Sequence, residues 1–460
     1  MFLTESKDLL NKHTDDMWLC CRCSLCKFPP LAQIKSHRFS GVCCSMDYGF
    51  FHAWSGSGKI IMGLSLLENR VDEITETMRD AFLQCTLCGA CDVSCKYSTN
   101  IEVLDTIFDI RRYIVKTIGA HPVHLKYLEK AEEYYNPYGE PHEQRQQWMQ
   151  SAKAFQNETA KTVFFTGCTA AYRHQDIAIA SAEILNAGGL EFRICNDEWC
   201  CGSPIYRSGQ VDEAVKFFEH NIELLSEEGI EEVITACPGC YSMFVAEYPK
   251  YLKGDLLEKW SRIKFRHMVE VIEEFIAKKK IEFAEGPNNK RIIVTYHDPC
   301  HLGRGSEPWI PEWEGTVKKI YNQIKVYDPP KKTRRGTKGI YKSPRFILKQ
   351  LKNSGVEFVE MFRINEYAYC CGSGGGVKAA YPEMALTASI ERLEEVEAVL
   401  KSKFEEISKI NKPVDEMILV SACPFCKTNF ENGINESGKN IRYLDINQLV
   451  NERIKREGMQ

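Results

Sequence analysis

Glu232-Val233-Ile234-Thr235-Ala236-Cys237-Pro238-Gly239-Cys240 is a short apolar run that ends in a C-x-x-C pair. The β-branched residues favour a strand, and Pro238 suits the first turn of a following helix, where no N–H is needed. The phrase recurs as Met417-Ile418-Leu419-Val420-Ser421-Ala422-Cys423-Pro424-Phe425-Cys426. Working upstream from each, the chain shows Cys200-Cys201-Gly202 and Cys370-Cys371-Gly372. Further upstream, Val163–Phe165 ends at Thr166-Gly167-Cys168, and Arg291–Tyr296 ends at Asp298-Pro299-Cys300. Two versions of one unit therefore occupy the larger part of the chain.

Between the cysteine groups, patterns of helix and strand alternate. The first copy reads helix Asp176–Asn186, strand Leu190–Ile194, helix Val211–Glu227 and strand Glu232–Thr235. The second reads helix near Phe346–Lys352, strand Glu357–Met361, helix Met384–Lys403 and strand Met417–Ser421. Such alternation predicts parallel βαβ units, hence an α/β fold, with the cysteines gathered where open sheets bind ligands, at the C-terminal strand ends. The expected organisation is a cysteine-rich module at 1–120, a linker at 121–158 containing the polar stretch Ala131–Asn157, and two α/β modules at 159–288 and 289–460.

The 460 residues include 21 cysteines, and net charge is −4. An odd number in tight C-x-x-C and C-C groups points to metal or redox chemistry in a reducing compartment, not to structural disulfides. No basic-aromatic ladder suggests nucleic acid, and the N-terminus lacks the basic and apolar regions of a secretory signal. The apolar run Ile60–Leu67 is too short to span a membrane. The expected location is cytoplasmic, without a transmembrane segment, peripheral membrane association being compatible with it.

Each repeat offers five thiols: Cys168, Cys200, Cys201, Cys237 and Cys240, then Cys300, Cys370, Cys371, Cys423 and Cys426. A tetrahedral zinc ion or a [4Fe–4S] cube takes four ligands, so a fifth thiolate and an adjacent pair suggest a larger or opened iron–sulfur assembly. Backbone N–H groups of Gly202, Gly372 and Gly374 are candidates to face its sulfurs. In the N-terminal block, Cys85-x2-Cys88-x2-Cys91-x3-Cys95 has bacterial ferredoxin spacing. Its partner run is Cys20-x2-Cys23-x2-Cys26, with Pro30 where a fourth cysteine is expected. Cys20, Cys23, Cys26 and Cys95 are assigned to one cube; Cys85, Cys88 and Cys91, with Cys43 or Cys44, to a second. Cys21 is left over, and Cys195 reads as a core thiol.

The doubled pattern, with HDPCHLGR and CCGSGGGVK in its second copy, resembles the CCG cysteine-rich-domain family from about Cys85 to the C-terminus. Heterodisulfide reductase subunits and iron–sulfur subunits of glycolate, lactate and glycerol-3-phosphate oxidising systems are members. The resemblance implies two tandem CCG α/β domains preceded by an α-helical ferredoxin-like module. It also implies two [4Fe–4S] cubanes and two noncubane [4Fe–4S] clusters on the two five-cysteine sets, with a site in the cleft between the CCG domains. Two functions follow. One is a heterodisulfide-reductase-like oxidoreductase acting on a small disulfide. The alternative is an electron-relay subunit between a flavoprotein and a quinone, b-type cytochrome or ferredoxin partner. Either way the partners are other subunits of a redox complex; a zinc-stabilised scaffold is the third reading.

Three further signals bear on the site. Gly56-Ser57-Gly58-Lys59 lacks the first glycine and the Ser/Thr of a phosphate loop. His297 and His301 flank Cys300 and are either donors to cluster sulfur or structural histidines. Lys331–Lys352 carries nine basic residues and no acidic one, as expected of a solvated loop or an anion-steering segment.

Overall fold

The computed structural model describes residues 2–227, 229–286, 291–321, 324–408 and 416–456. β1 (Thr162–Phe164), β2 (Glu232–Thr235) and β3 (Lys264–His267) form a parallel sheet in that order. β4 (Ile292–Tyr296) opens the second half, and the antiparallel hairpin β5 (Thr316–Ile320) and β6 (Ile324–Asp328) stands apart from the sheets. β7 (Val356–Val359), β8 (Glu416–Ser421) and β9 (Arg442–Asp445) join β4 in a second parallel sheet of order β7-β4-β8-β9. All five residues of β4 are buried, which is why it reads as an unbroken apolar run rather than an alternating one.

The boundary expected at 288/289 falls outside the described residues. The strand expected at Leu190–Ile194 is reduced to one bridge, Val163 to Arg193. The preceding segment takes its other backbone groups: Asn157 N–H donates to Phe192 O at 2.8 Å, and Ile194 N–H donates to Gln156 Oε1 at 3.2 Å. The hairpin strands β5 and β6 and the sheet strands β3 and β9 have no counterpart in the sequence reading. In β3 and β9 the reason is composition. Both are four residues long and carry charges (KFRH and RYLD), so neither offers an apolar run. Each instead ends at a capping box, His267 with Glu270 and Asp445 with Gln448, that starts the next helix.

The two sheets share a core. Phe164, Ile177, Ile184 and Ile272 of the first half pack in one apolar cluster with Val294, Ile347, Ile418 and Leu449 of the second. Polar bonds pin the same junction, among them His174 with Thr428 at 2.7 Å and Gln448 Nε2 to Asp176 at 2.8 Å.

The N-terminal block is helical and turns around Val103–Ile118, which buries Ile107, Ile110 and Ile114. The first helices are fastened to it through His13, whose ring meets Asp109 at 2.7 Å. Burial pushes the Asp109 carboxyl up, but His13, Lys12 and Arg112 outweigh it and hold it at about 2. From the same helix, buried Arg111 donates to the carbonyls of Phe82 (2.6 Å), Cys85, Arg207 (2.6 Å) and Gly375 (3.0 Å). One guanidinium thus bonds the helical block and both α/β halves.

Candidate metal centres

In the first half, Cys168 follows β1, Cys200 and Cys201 precede the helix Ser203–Arg207, and Cys237 caps the helix Pro238–Ser242 that carries Cys240. All five thiols are buried. Cys168 Sγ lies 3.6 Å from Cys200 Sγ, Cys201 contacts both Cys200 and Cys240, and Cys240 contacts Cys237. Gly202 N–H donates to Cys200. Its φ of +76° and a virtual Cβ 2.7 Å from the Phe218 ring leave no room for another residue. A buried ion pair fixes the entry to this group. Glu198 accepts Thr166 N–H and Gly167 N–H at 3.0 Å each while paired with Arg145.

The second half repeats the arrangement. Cys300 follows β4, and Cys423 caps the helix Pro424–Ser437 that carries Cys426. Cys426 Sγ is 3.3 Å from Cys371 Sγ, and Cys370 contacts Cys300 and Cys371. Gly372, at φ +92°, donates its N–H to Cys370 Sγ at 3.4 Å. Gly374 lies farther out, against Thr86 and in the cleft wall.

The N-terminal cysteines fall into two neighbourhoods. Cys20 and Cys95 both have Cys26 as a close neighbour, and Cys20, Cys23, Cys26 and Cys95 line one small cavity. Cys43 and Cys91 both neighbour Cys85. Cys44 turns the other way: with Cys88 it contacts Cys370 of the second α/β half. Of the two adjacent candidates, Cys43 therefore faces Cys85 and Cys91 of the ferredoxin-type run, and Cys44 sits with Cys88 at the junction with the second half. Cys21 is exposed, and Cys195 is buried in the core.

These thiols fit a cation-rich cofactor. Burial pushes Cys43 up to about 12, and burial with neighbouring thiols raises Cys168 and Cys426 well above the ordinary range. Cys201 and Cys370 go the other way, pulled down by the neighbouring thiols that hydrogen-bond to them. Buried cations converge on the cysteines: Lys59 beside Cys43, Arg111 beside Cys85, and Arg304 beside Cys88 and Cys300. Among the described residues none of these three cations has a carboxylate partner, and burial pulls Arg111 down to about 10. Unpaired buried guanidinium is costly unless the groups it faces are anionic, which metal-bound thiolates are. Sequence reasoning passed over all three cations, although Lys59 closes the discounted GSGK phrase and Arg304 closes HLGR.

A cleft of about 150 Å³ lies between the two halves, with walls from Ser203, Arg207 and Gly239 on one side and Cys300, Cys371 and Cys426 on the other. Lys378 and His301 also reach it. The basic segment has two fates. Arg345 is locked between Asp298 and Glu360, whereas Lys331, Lys332 and Arg334 line a groove of about 770 Å³ shared with Cys88, His301 and Arg304.

Two parallel sheets carrying five-thiol edges, joined to a ferredoxin-type cysteine block, define the class: an iron–sulfur oxidoreductase subunit. The cysteine-rich (CCG) domain pattern matches residues 162–245 and 324–431. The chain is 32% identical over 383 residues to the D-subunit of dihydromethanophenazine:CoB–CoM heterodisulfide reductase from Methanosarcina barkeri, covering 82% of this chain and 79% of that one. It is 30% identical over 372 residues to the B-subunit of fumarate reductase (CoM/CoB) from Methanothermobacter marburgensis, covering 80% of this chain and 60% of that one. A probable iron–sulfur-binding oxidoreductase, FadF, of Bacillus subtilis is 28% identical over 416 residues, covering 86% and 50%. The chain belongs to the CCG cysteine-rich-domain family that includes the D-subunit of heterodisulfide reductase. Among the described residues no helix is long and apolar enough to cross a membrane.

Proposed function

We propose that the chain is the electron-transferring subunit of a heterodisulfide-reductase-like complex and that it reduces a disulfide in the cleft between its α/β halves. Cys20, Cys23, Cys26 and Cys95 would hold one [4Fe–4S] cubane, and Cys85, Cys88, Cys91 and Cys43 a second. Each five-cysteine set would hold a noncubane [4Fe–4S] cluster. When bound, these groups supply one-electron steps, and a disulfide requires two electrons.

The observation that carries this proposal is the contact of Cys88, a ferredoxin-type ligand, and of Cys44 with Cys370 of the second five-thiol set. Arg304 reinforces the junction by donating to Cys88 O at 2.7 Å and to Ala368 O at 2.8 Å. On the cleft side, Arg207 and Lys378 present positive charge. Trp18, Leu19, Phe28, Leu31, Phe50 and Phe51, which flank the first cysteine run in sequence, are exposed, as a docking surface for a further protein would be. That face favours the alternative, an electron relay from a flavoprotein to a quinone, b-type cytochrome or ferredoxin partner.

Anaerobic assay with reduced viologen and a panel of small disulfides separates the two. Disulfide-dependent viologen oxidation is expected, and it should disappear when Cys371 is changed to Ala. Rapid reduction of the centres with no disulfide turnover would leave the relay standing instead.

A further inference from the structure

The two halves repeat one packing slot beneath their cysteines. Three residues before Cys168 stands Phe165, and three residues before Cys300 stands His297. Four residues after Cys240 stands Phe244, and four after Cys426 stands Phe430. The rings meet edge-on in both halves. Phe165 and Phe244 have centroids 5.0 Å apart at 90°, and His297 and Phe430 have centroids 4.9 Å apart at 79°. The second half has therefore put an imidazole where the first has a phenyl ring.

That imidazole is held in one orientation. Its backbone N–H donates to Val420 O at 2.8 Å, and its carbonyl accepts from Ser421 Oγ at 3.0 Å. Arg392 Nε approaches Nδ1 at 3.3 Å. Arg392 and Glu395 are both 0% exposed, and the guanidinium is tied to the Glu395 carboxylate and, at 3.0 Å, to Arg363 O. A guanidinium only donates, so Nδ1 must accept and the ring proton sits on Nε2. Nε2 has no hydrogen-bond partner among the described residues. The histidine's ligating nitrogen, Cys371 Sγ and Cys426 Sγ lie within 4.8 Å of one another. With Nδ1 engaged by Arg392, Nε2 is the nitrogen whose N–H is free for these sulfurs.

We propose that His297 is a positioning residue whose Nε2–H is aimed at the sulfurs of Cys371 and Cys426, making the second five-cysteine centre easier to reduce than the first. This rests on the assignment of an iron–sulfur centre to that set. An N–H dipole directed at sulfur stabilises the more negative, reduced state and raises the potential. Phe165 gives the first centre no such donor. The inequality gives the pair a direction: an electron shared between the centres favours the second.

His297→Phe installs the first half's own solution in the second. Redox titration followed by electron paramagnetic resonance should show one centre shifted to more negative potential, the others unmoved, with iron content unchanged. His297→Gln, which retains an N–H donor, should recover part of the shift. In the unaltered protein, pulsed resonance in D2O should detect an exchangeable proton coupled to the second centre in addition to the Gly372 N–H, and this additional coupling should be absent in His297→Phe. Full iron with an unshifted potential in His297→Phe would overturn the proposal, as would a nitrogen coupling large enough for directly bound imidazole. Should His297→Phe fail to assemble, the D2O experiment decides alone, and absence of any exchangeable coupling beyond that of Gly372 N–H refutes the donor. An iron-free unaltered chain would count against the cluster assignment, not against the role of His297 within it.

Discussion

Glu198→Ala is expected to destabilise the chain by about 3–5 kcal/mol, the usual consequence of leaving one partner of a buried ion pair without its counter-charge. Arg145 and Glu198 are 2% and 1% exposed, so solvent cannot replace the lost carboxylate. The loss extends beyond charge, because Glu198 also accepts Thr166 N–H and Gly167 N–H, and both donors would be stranded. Those residues form the turn into Cys168, so the first centre should loosen along with the fold. Against a typical domain stability of about 5–15 kcal/mol, the effect is large. Urea unfolding of anaerobically purified protein measures it. Glu198→Gln should be milder, since its amide oxygen still accepts a backbone N–H. A midpoint for Glu198→Ala equivalent to within about 0.5 kcal/mol of the parent, the scale of an ordinary surface change, would show that the pair does not hold this turn.

The second large effect concerns ligands. Cys200→Ala and Cys371→Ala should each remove one centre, with loss of about 4 iron atoms per chain, while the ferredoxin-type signals persist. The two variants should not behave alike. The thiols that Cys200 meets, Cys168 and Cys201, are in its own half, whereas the neighbour of Cys371, Cys370, also meets Cys44 and Cys88. Cys371→Ala should therefore also perturb the spectrum of the adjacent cubane, and Cys200→Ala should leave it as it was. Iron analysis with electron paramagnetic resonance on both variants gives the comparison. Retention of every paramagnetic species in both would refute the ligand assignment.

The parts of this protein that were legible in its sequence are those where one local rule decides. Pro238 and Pro424 stand one residue past a cysteine at the end of an apolar run, and each sits in the first turn of a helix after its strand. The bounds of β2 and of the helix Val211–Glu227 follow from residue pattern alone. β3 and β9 were not legible, because four charged or mixed residues acquire strand geometry only from a neighbouring strand. The choice between Cys43 and Cys44 has a similar origin. Cys43 is the extended N-cap and Cys44 the first helical residue, so adjacent side chains diverge toward different partners. Arg111 illustrates the remainder: its four carbonyl partners are spread from Phe82 to Gly375, and no spacing rule connects them.

The central claim is that each α/β half holds an iron–sulfur centre employing five thiols, next to two ordinary cubes. Mössbauer spectroscopy with iron and sulfide analysis of the anaerobically prepared, unaltered chain tests it most directly. About 16 iron atoms per chain are expected, half of them in cubane signals and half in signals that no cubane reproduces. A spectrum made up of cubanes alone, or zinc in place of iron at the two repeated sets, would contradict it.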